Sequence, residues 1–98
     1  MKIILLTFLI TDTFEARTKR LTFISSDKFF ENDVNKMNSD LYKGQQIIAL
    51  DTYTFVADLH EVKALWKTLR ADETISWRER IMKVKQAYPD GLDQYIKV

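Results

Sequence analysis

His60 is the only histidine in the chain, and its setting, Asp58-Leu59-His60-Glu61, invites a test for acid–base chemistry. An imidazole acting as a general base needs an orienting carboxylate and a nucleophile within reach. Asp58 and Glu61 are the nearest acids, yet their spacing is that of a capping box, with Asp58 at the N-cap of a helix and Glu61 three residues on. One base without partners is no catalytic site. No catalytic residue is assigned, and the chain is read as a non-enzyme.

The oxygen-rich group Asn32, Asp33, Asn35, Asn38 and Asp40 could be taken for a cation loop. A calcium loop needs ligands at alternate positions about a central glycine. Here the residues share a segment whose other face is apolar, the pattern of a solvated helix surface. Asp12, Glu15, Asp51 and Asp58 could approach one another across strand ends, but the sequence fixes no separation between any two. Gly44 and Gly91, the only glycines, lie in neither a Gly-x-Gly nor a Gly-Lys-Thr context, so no phosphate cradle is present in its usual form. With no cysteine there is no disulfide, thiolate nucleophile or Cys-based metal centre. That usage is compatible with a reducing cytoplasm. Neither a cofactor nor a metal is expected.

Basic residues gather in the last third: Lys63, Lys67, Arg70, Arg78, Arg80, Lys83 and Lys85, with Glu61, Asp72, Glu73 and Glu79 as the acids among them. A helix–turn–helix reader of DNA would collect its charge on one side of the second helix. Winding Trp77–Tyr88 at about 100° per residue instead spreads Arg78, Arg80, Lys83 and Lys85 around most of the non-apolar arc. Formal net charge is +1, which gives no general attraction to a polyanion. Nucleic-acid binding through the basic face of the C-terminal helices is therefore the alternative reading. Trp66 and Trp77 each fall on an apolar stripe and read as core anchors.

The elements that would position these groups begin with Ile3-Ile4-Leu5-Leu6-Thr7-Phe8-Leu9-Ile10. The run is too short to span a bilayer and apolar on both alternations, which suits a strand at the centre of a sheet. Met1-Lys2 before it imitates a secretory leader, but Thr11-Asp12-Thr13-Phe14-Glu15-Ala16 offers no small-x-small cleavage pattern. Leu21-Thr22-Phe23-Ile24 restores strand formers and predicts an antiparallel hairpin, although no Asn-Gly or Asp-Gly marks its turn. Thr18-Lys19-Arg20 would sit on an outer strand, where charge discourages edge pairing.

Ser25-Ser26-Asp27 supplies N-cap candidates for a helix carrying Phe30, Val34, Met37 and Leu41 as one stripe, with Gly44 as its C′ residue. Gln45–Val56 reads as a strand, either well buried or bent near Asp51. If adjacent to its predecessor it would run parallel to it, and it could equally pair with the first strand. Leu59, Val62, Trp66 and Leu69 mark a second helix. Trp77, Ile81, Val84 and Tyr88 mark a third, opened by a capping box at Ser76 and Glu79 and stopped by Pro89-Asp90-Gly91. Leu92–Val98 fits a strand face or a helix face, with a short strand or docked tail preferred.

The whole predicts one α+β domain over residues 1–98: a three- or four-stranded, mainly antiparallel sheet packed by three amphipathic helices, in the order β-β-α-β-α-α with a final strand left open. Without a catalytic constellation, the leading expectation is a protein-binding or inhibitory accessory protein that occupies a partner's surface, by strand addition or a helix face, or that self-associates as a homodimer. Small domains of this type recur among accessory proteins of phages and mobile elements, an association of protein type rather than of residues. The expected contact residues are Phe14, Arg17, Lys19 and Arg20 on the hairpin and Arg78, Arg80, Lys83 and Lys85 on the third helix.

Overall fold

Both oily faces of the first apolar run are used. A computed structural model describes all 98 residues. In it the run lies within strand β1 (Lys2–Asp12), paired antiparallel with β2 (Arg17–Ser26) on one side and β3 (Gln45–Val56) on the other. Strand β4 (Leu92–Lys97) lines the far side of β3, again antiparallel, and the order across the sheet is β2-β1-β3-β4. The last segment is thus a strand. The two strands joined by the first helix are not neighbours: β1 lies between them, antiparallel to both, so β2 and β3 run parallel and α1 is a crossover that spans β1.

The helices divide between the faces. Ile4, Leu6, Phe8 and Ile10 of β1 pack with Ile47 and Leu50 beneath α1 (Phe30–Asp40), to which Phe30, Val34, Met37 and Leu41 contribute the anticipated stripe. On the opposite face Ile3 and Leu5 join Tyr53 and Phe55 beneath α2 (Leu59–Ala71) and α3 (Trp77–Ala87). Val62, Trp66, Leu69 and Val84 complete that second core. Two cores share one sheet because β1 has no polar face to give to water.

Ile47 and Leu50 are three residues apart, yet both face α1. In a regular strand they would point to opposite sides. The pairing with β1 shifts between Leu9 and Ile10, and Ile48 is the extra residue of a β-bulge, so the alternation reverses and both side chains reach one core. The irregularity of this strand is therefore a bulge at Ile48 rather than a bend near Asp51.

Capping follows the sequence in two helices out of three. Asp58 accepts from the backbone N–H groups of His60 and Glu61 at 2.8 and 3.2 Å, and Ser76 Oγ accepts from Glu79 N–H at 3.2 Å. The expected cap of α1 is not one: Ser25 and Ser26 are buried ends of β2, and the N-cap residue is Phe29, whose side chain has no capping oxygen. Ser25 Oγ instead donates to Asp33 Oδ2 at 2.6 Å, tying the strand end to the helix. Nor is Gly44 a helix C′ residue. Helix α1 ends at Asp40, and Gly44, at φ 92°, turns the chain into β3.

Residues Thr13–Ala16 form the β1–β2 turn, with Ala16 left-handed at φ 51°. Asp12 organises it, accepting from the N–H groups of Phe14 (3.0 Å) and Glu15 (3.1 Å) and from Gln45 Nε2 (3.2 Å). Thr13 N–H donates to Gly44 C=O at 3.0 Å, joining the turn to the start of β3. The carboxylate of Asp12 is buried, which by itself opposes ionisation. Its pKa is nevertheless lowered, first by the Glu15 N–H bond and then by Gln45, Phe14 and the Lys19 charge.

Candidate functional site

Strand β2 is a sheet edge ten residues long. Asp27 N–H bonds Lys2 C=O; carrying the antiparallel alternation along the register makes even-numbered β1 residues the hydrogen-bonded partners of β2. Thr18, Arg20, Thr22 and Ile24 are then the non-hydrogen-bonded positions, and their N–H and C=O groups point away from the sheet. Thr7 and Thr22, one such pair, have hydroxyls 2.9 Å apart, the close side-chain approach expected there. The ladder of free groups stops at the end of the strand, where Phe29 N–H takes the carbonyl of Ser26.

A cleft flanks this edge on each face of the sheet. On the α2 side a space of about 470 Å³ lies between Thr22–Ile24 and a wall formed by Lys63, Trp66, Lys67 and Arg70. At about 100° per residue Lys63, Lys67 and Arg70 fall within about 60° of helix surface, a single row. All three are exposed, and none is in an ion pair. Trp66 belongs to the buried core yet borders the cleft, and its indole N–H has no acceptor. On the α1 side a space of about 250 Å³ lies between Phe8, Phe23 and the helix residues Asp33, Lys36, Met37 and Asp40. Phe23 stays 41% exposed there, and Leu21, two residues back on the same face, 40%.

A third hollow, about 350 Å³, lies under α3 above β3, with Asp51 and Thr7 on its floor and Arg78, Met82 and Lys85 on its wall. Lys85 Nζ closes one end by binding Asp93 Oδ1 at 2.7 Å, and the same ammonium lies 5.2 Å from the Tyr53 ring centre.

The residues expected to contact a partner are dispersed. Phe14 is 78% exposed at the hairpin turn, its ring against Gly44. Arg17 pairs with Glu15, and Lys19, only half-exposed, approaches Glu15 at 3.6 Å and Asp12 at 4.0 Å. Arg20 joins hairpin to helix: its guanidinium sits 5.6 Å from the Trp77 ring, while Trp77 Nε1 donates to Thr22 Oγ1 at 2.7 Å. Arg78 and Lys85 border the hollow under α3. Arg80 is half-buried rather than free, donating from Nη2 to Asp72 C=O at 3.0 Å. Asp72 has a lowered pKa, first from the Thr74 hydroxyl and then from its N–H, with the Arg80 and Lys83 charges adding. Of the α3 cations, Arg80 thus binds a carbonyl and Lys85 an acid, whereas Arg78 and Lys83, like the three of α2, are in no ion pair.

Sequence reasoning counted Lys63, Lys67 and Arg70 among the basic residues without choosing them. The signal that could have found them is their spacing of four and three on an otherwise secure helix, which aligns them opposite no acid. His60 is exposed in the first turn of α2, beside an Asp58 engaged by backbone N–H groups. Compared with family models, curated proteins and solved structures, the chain matches none.

Proposed function

We propose that the protein works by contact rather than by bond-making, taking an extended segment of a partner protein as a fifth strand along β2. The observation that carries this reading is the outward row of N–H and C=O groups at Thr18, Arg20, Thr22 and Ile24, whose Thr22–Ile24 end lies between α1 on one face and α2 on the other. Long apolar edges invite pairing, and most proteins blunt them. Here Arg17, Lys19 and Arg20 guard only the first half of the strand, leaving Leu21–Ile24 with apolar residues on either side. Strand addition uses such an edge for affinity, through main-chain bonds, and flanking clefts for specificity.

The test removes outward donors without touching the ladder to β1. Proline at Thr18 and Arg20 costs no existing sheet bond and is tolerated on an edge. Immobilised protein carrying Thr18→Pro and Arg20→Pro should lose the partners that wild type retains from a lysate of the source cells. Tyr95→Pro, at an outward position of β4, should retain them. Equal capture by wild type and the β2 variant contradicts the reading.

A further inference from the structure

We infer that the strand accepted by β2 carries acidic side chains at alternate positions, pointing to the α2 side, with apolar residues between them pointing to the α1 side. This rests on the strand-addition reading and assigns the chemistry of its ligand. A strand laid on the edge must send successive side chains to opposite faces. Those on one face meet Lys63, Lys67 and Arg70, three cations in one row with no acid bound to them. Those on the other meet Phe23 and Met37, with Asp33, Lys36 and Asp40 alongside.

The two clefts therefore differ in charge: three cations and no acid on the α2 side, two acids and one lysine on the α1 side. Acidic residues entering on the α1 side would meet one lysine between two carboxylates in place of three unopposed cations, so a one-residue slip of register loses the favourable charge pairing as well as apolar contact. A second copy of this chain is a poor occupant. Its own β2 contains no acid, and in an antiparallel β2–β2 pair Arg20, on the face of Thr22 and Ile24, would turn toward the α2 row, which would gain no counter-charge. The shared requirement is an anionic extended chain whose backbone can pair, and a polypeptide meets it.

The experiment uses the full chain and fluorescence anisotropy with labelled eight-residue peptides: Glu alternating with Val, Lys alternating with Val, and four Glu followed by four Val. An eight-residue oligothymidylate serves as the nucleic-acid probe. The alternating Glu peptide should bind at least about tenfold more tightly than either other peptide, the equivalent of about 1.4 kcal/mol. Lys63→Glu with Lys67→Glu, both on exposed helix surface, should reverse the preference toward the Lys peptide. Equal affinity for the Glu and Lys peptides overturns the charge assignment, and leaves strand addition standing if Thr18→Pro with Arg20→Pro abolishes both. Undiminished binding of the Glu peptide in the presence of those prolines overturns strand addition. No binding of any peptide overturns both. Tighter binding of the oligothymidylate overturns the polypeptide assignment.

Discussion

The sheet has two edges, and they are not equivalent. Strand β4 is six residues long, with only Ile96 half-buried, and is anchored to the body by its ladder to β3 and the Lys85–Asp93 ion pair. Strand β2 is longer, is bonded to α3 through Trp77 and to α1 through Ser25, and has a helix wall on each face. Backbone groups on both edges can pair, but β2 has an open cleft against a helix on each face, whereas beside β4 the hollow under α3 is closed at one end by the Lys85–Asp93 pair. An edge without walls can bind strands in general; an edge between walls of opposite character can choose.

The largest expected effect lies at the root of β4. Gly91 N–H donates to the Tyr53 hydroxyl at 3.0 Å, and a Cβ there would meet the Tyr53 ring at 2.3 Å. Gly91→Ala should cost about 1–3 kcal/mol by overpacking, read from urea unfolding. Amide exchange should rise in β4 while β2 stays protected, which would show that the two edges are supported separately. Next, Trp77→Phe removes the indole donor to Thr22 and should cost about 1 kcal/mol, with exchange rising in β2 instead. Smaller and opposite in sign is Ala16→Gly. Relief of the left-handed strain, offset by the flexibility of glycine in the unfolded chain, should stabilise the hairpin by about 0.5 kcal/mol.

Acid should loosen the hairpin end of β2. The Asp12 pKa is lower in the folded chain than the unfolded value of about 3.9. Its contribution to stability is therefore complete above that value and disappears as pH falls through the folded pKa. Urea midpoints followed from about pH 6 downward should decline below about pH 4, and Asp12→Asn should make the decline shallower. An unchanged slope in the variant would remove Asp12 as the organiser of the turn.

Much of this architecture was legible in the sequence because apolar spacing is a local signal. The stripes of α1, α2 and α3, the span of β3 and the central place of β1 all follow from periodicity. Strand order was not legible, since β3 could bury its apolar faces beside either earlier strand. Misreading Ser25 and Ser26 as caps has a similar cause: serine oxygens suit a helix start, but Ser25 bonds a side chain of α1 from a strand end. The bulge at Ile48 was hidden because Ile47, Ile48 and Leu50 look like continuous burial until a partner strand fixes the register. The proposed binding surface was only half visible, since its two walls come from α1 and α2, separated in sequence by β3.

Amide hydrogen exchange on the full chain, with and without the alternating Glu–Val peptide, tests the central claim most directly. The account predicts that the N–H groups of Thr18, Arg20, Thr22 and Ile24 slow on binding, while those of Asp93, Tyr95 and Lys97 on the opposite edge do not change. Protection appearing on β4, or on the surface of α2 with β2 unchanged, would contradict it.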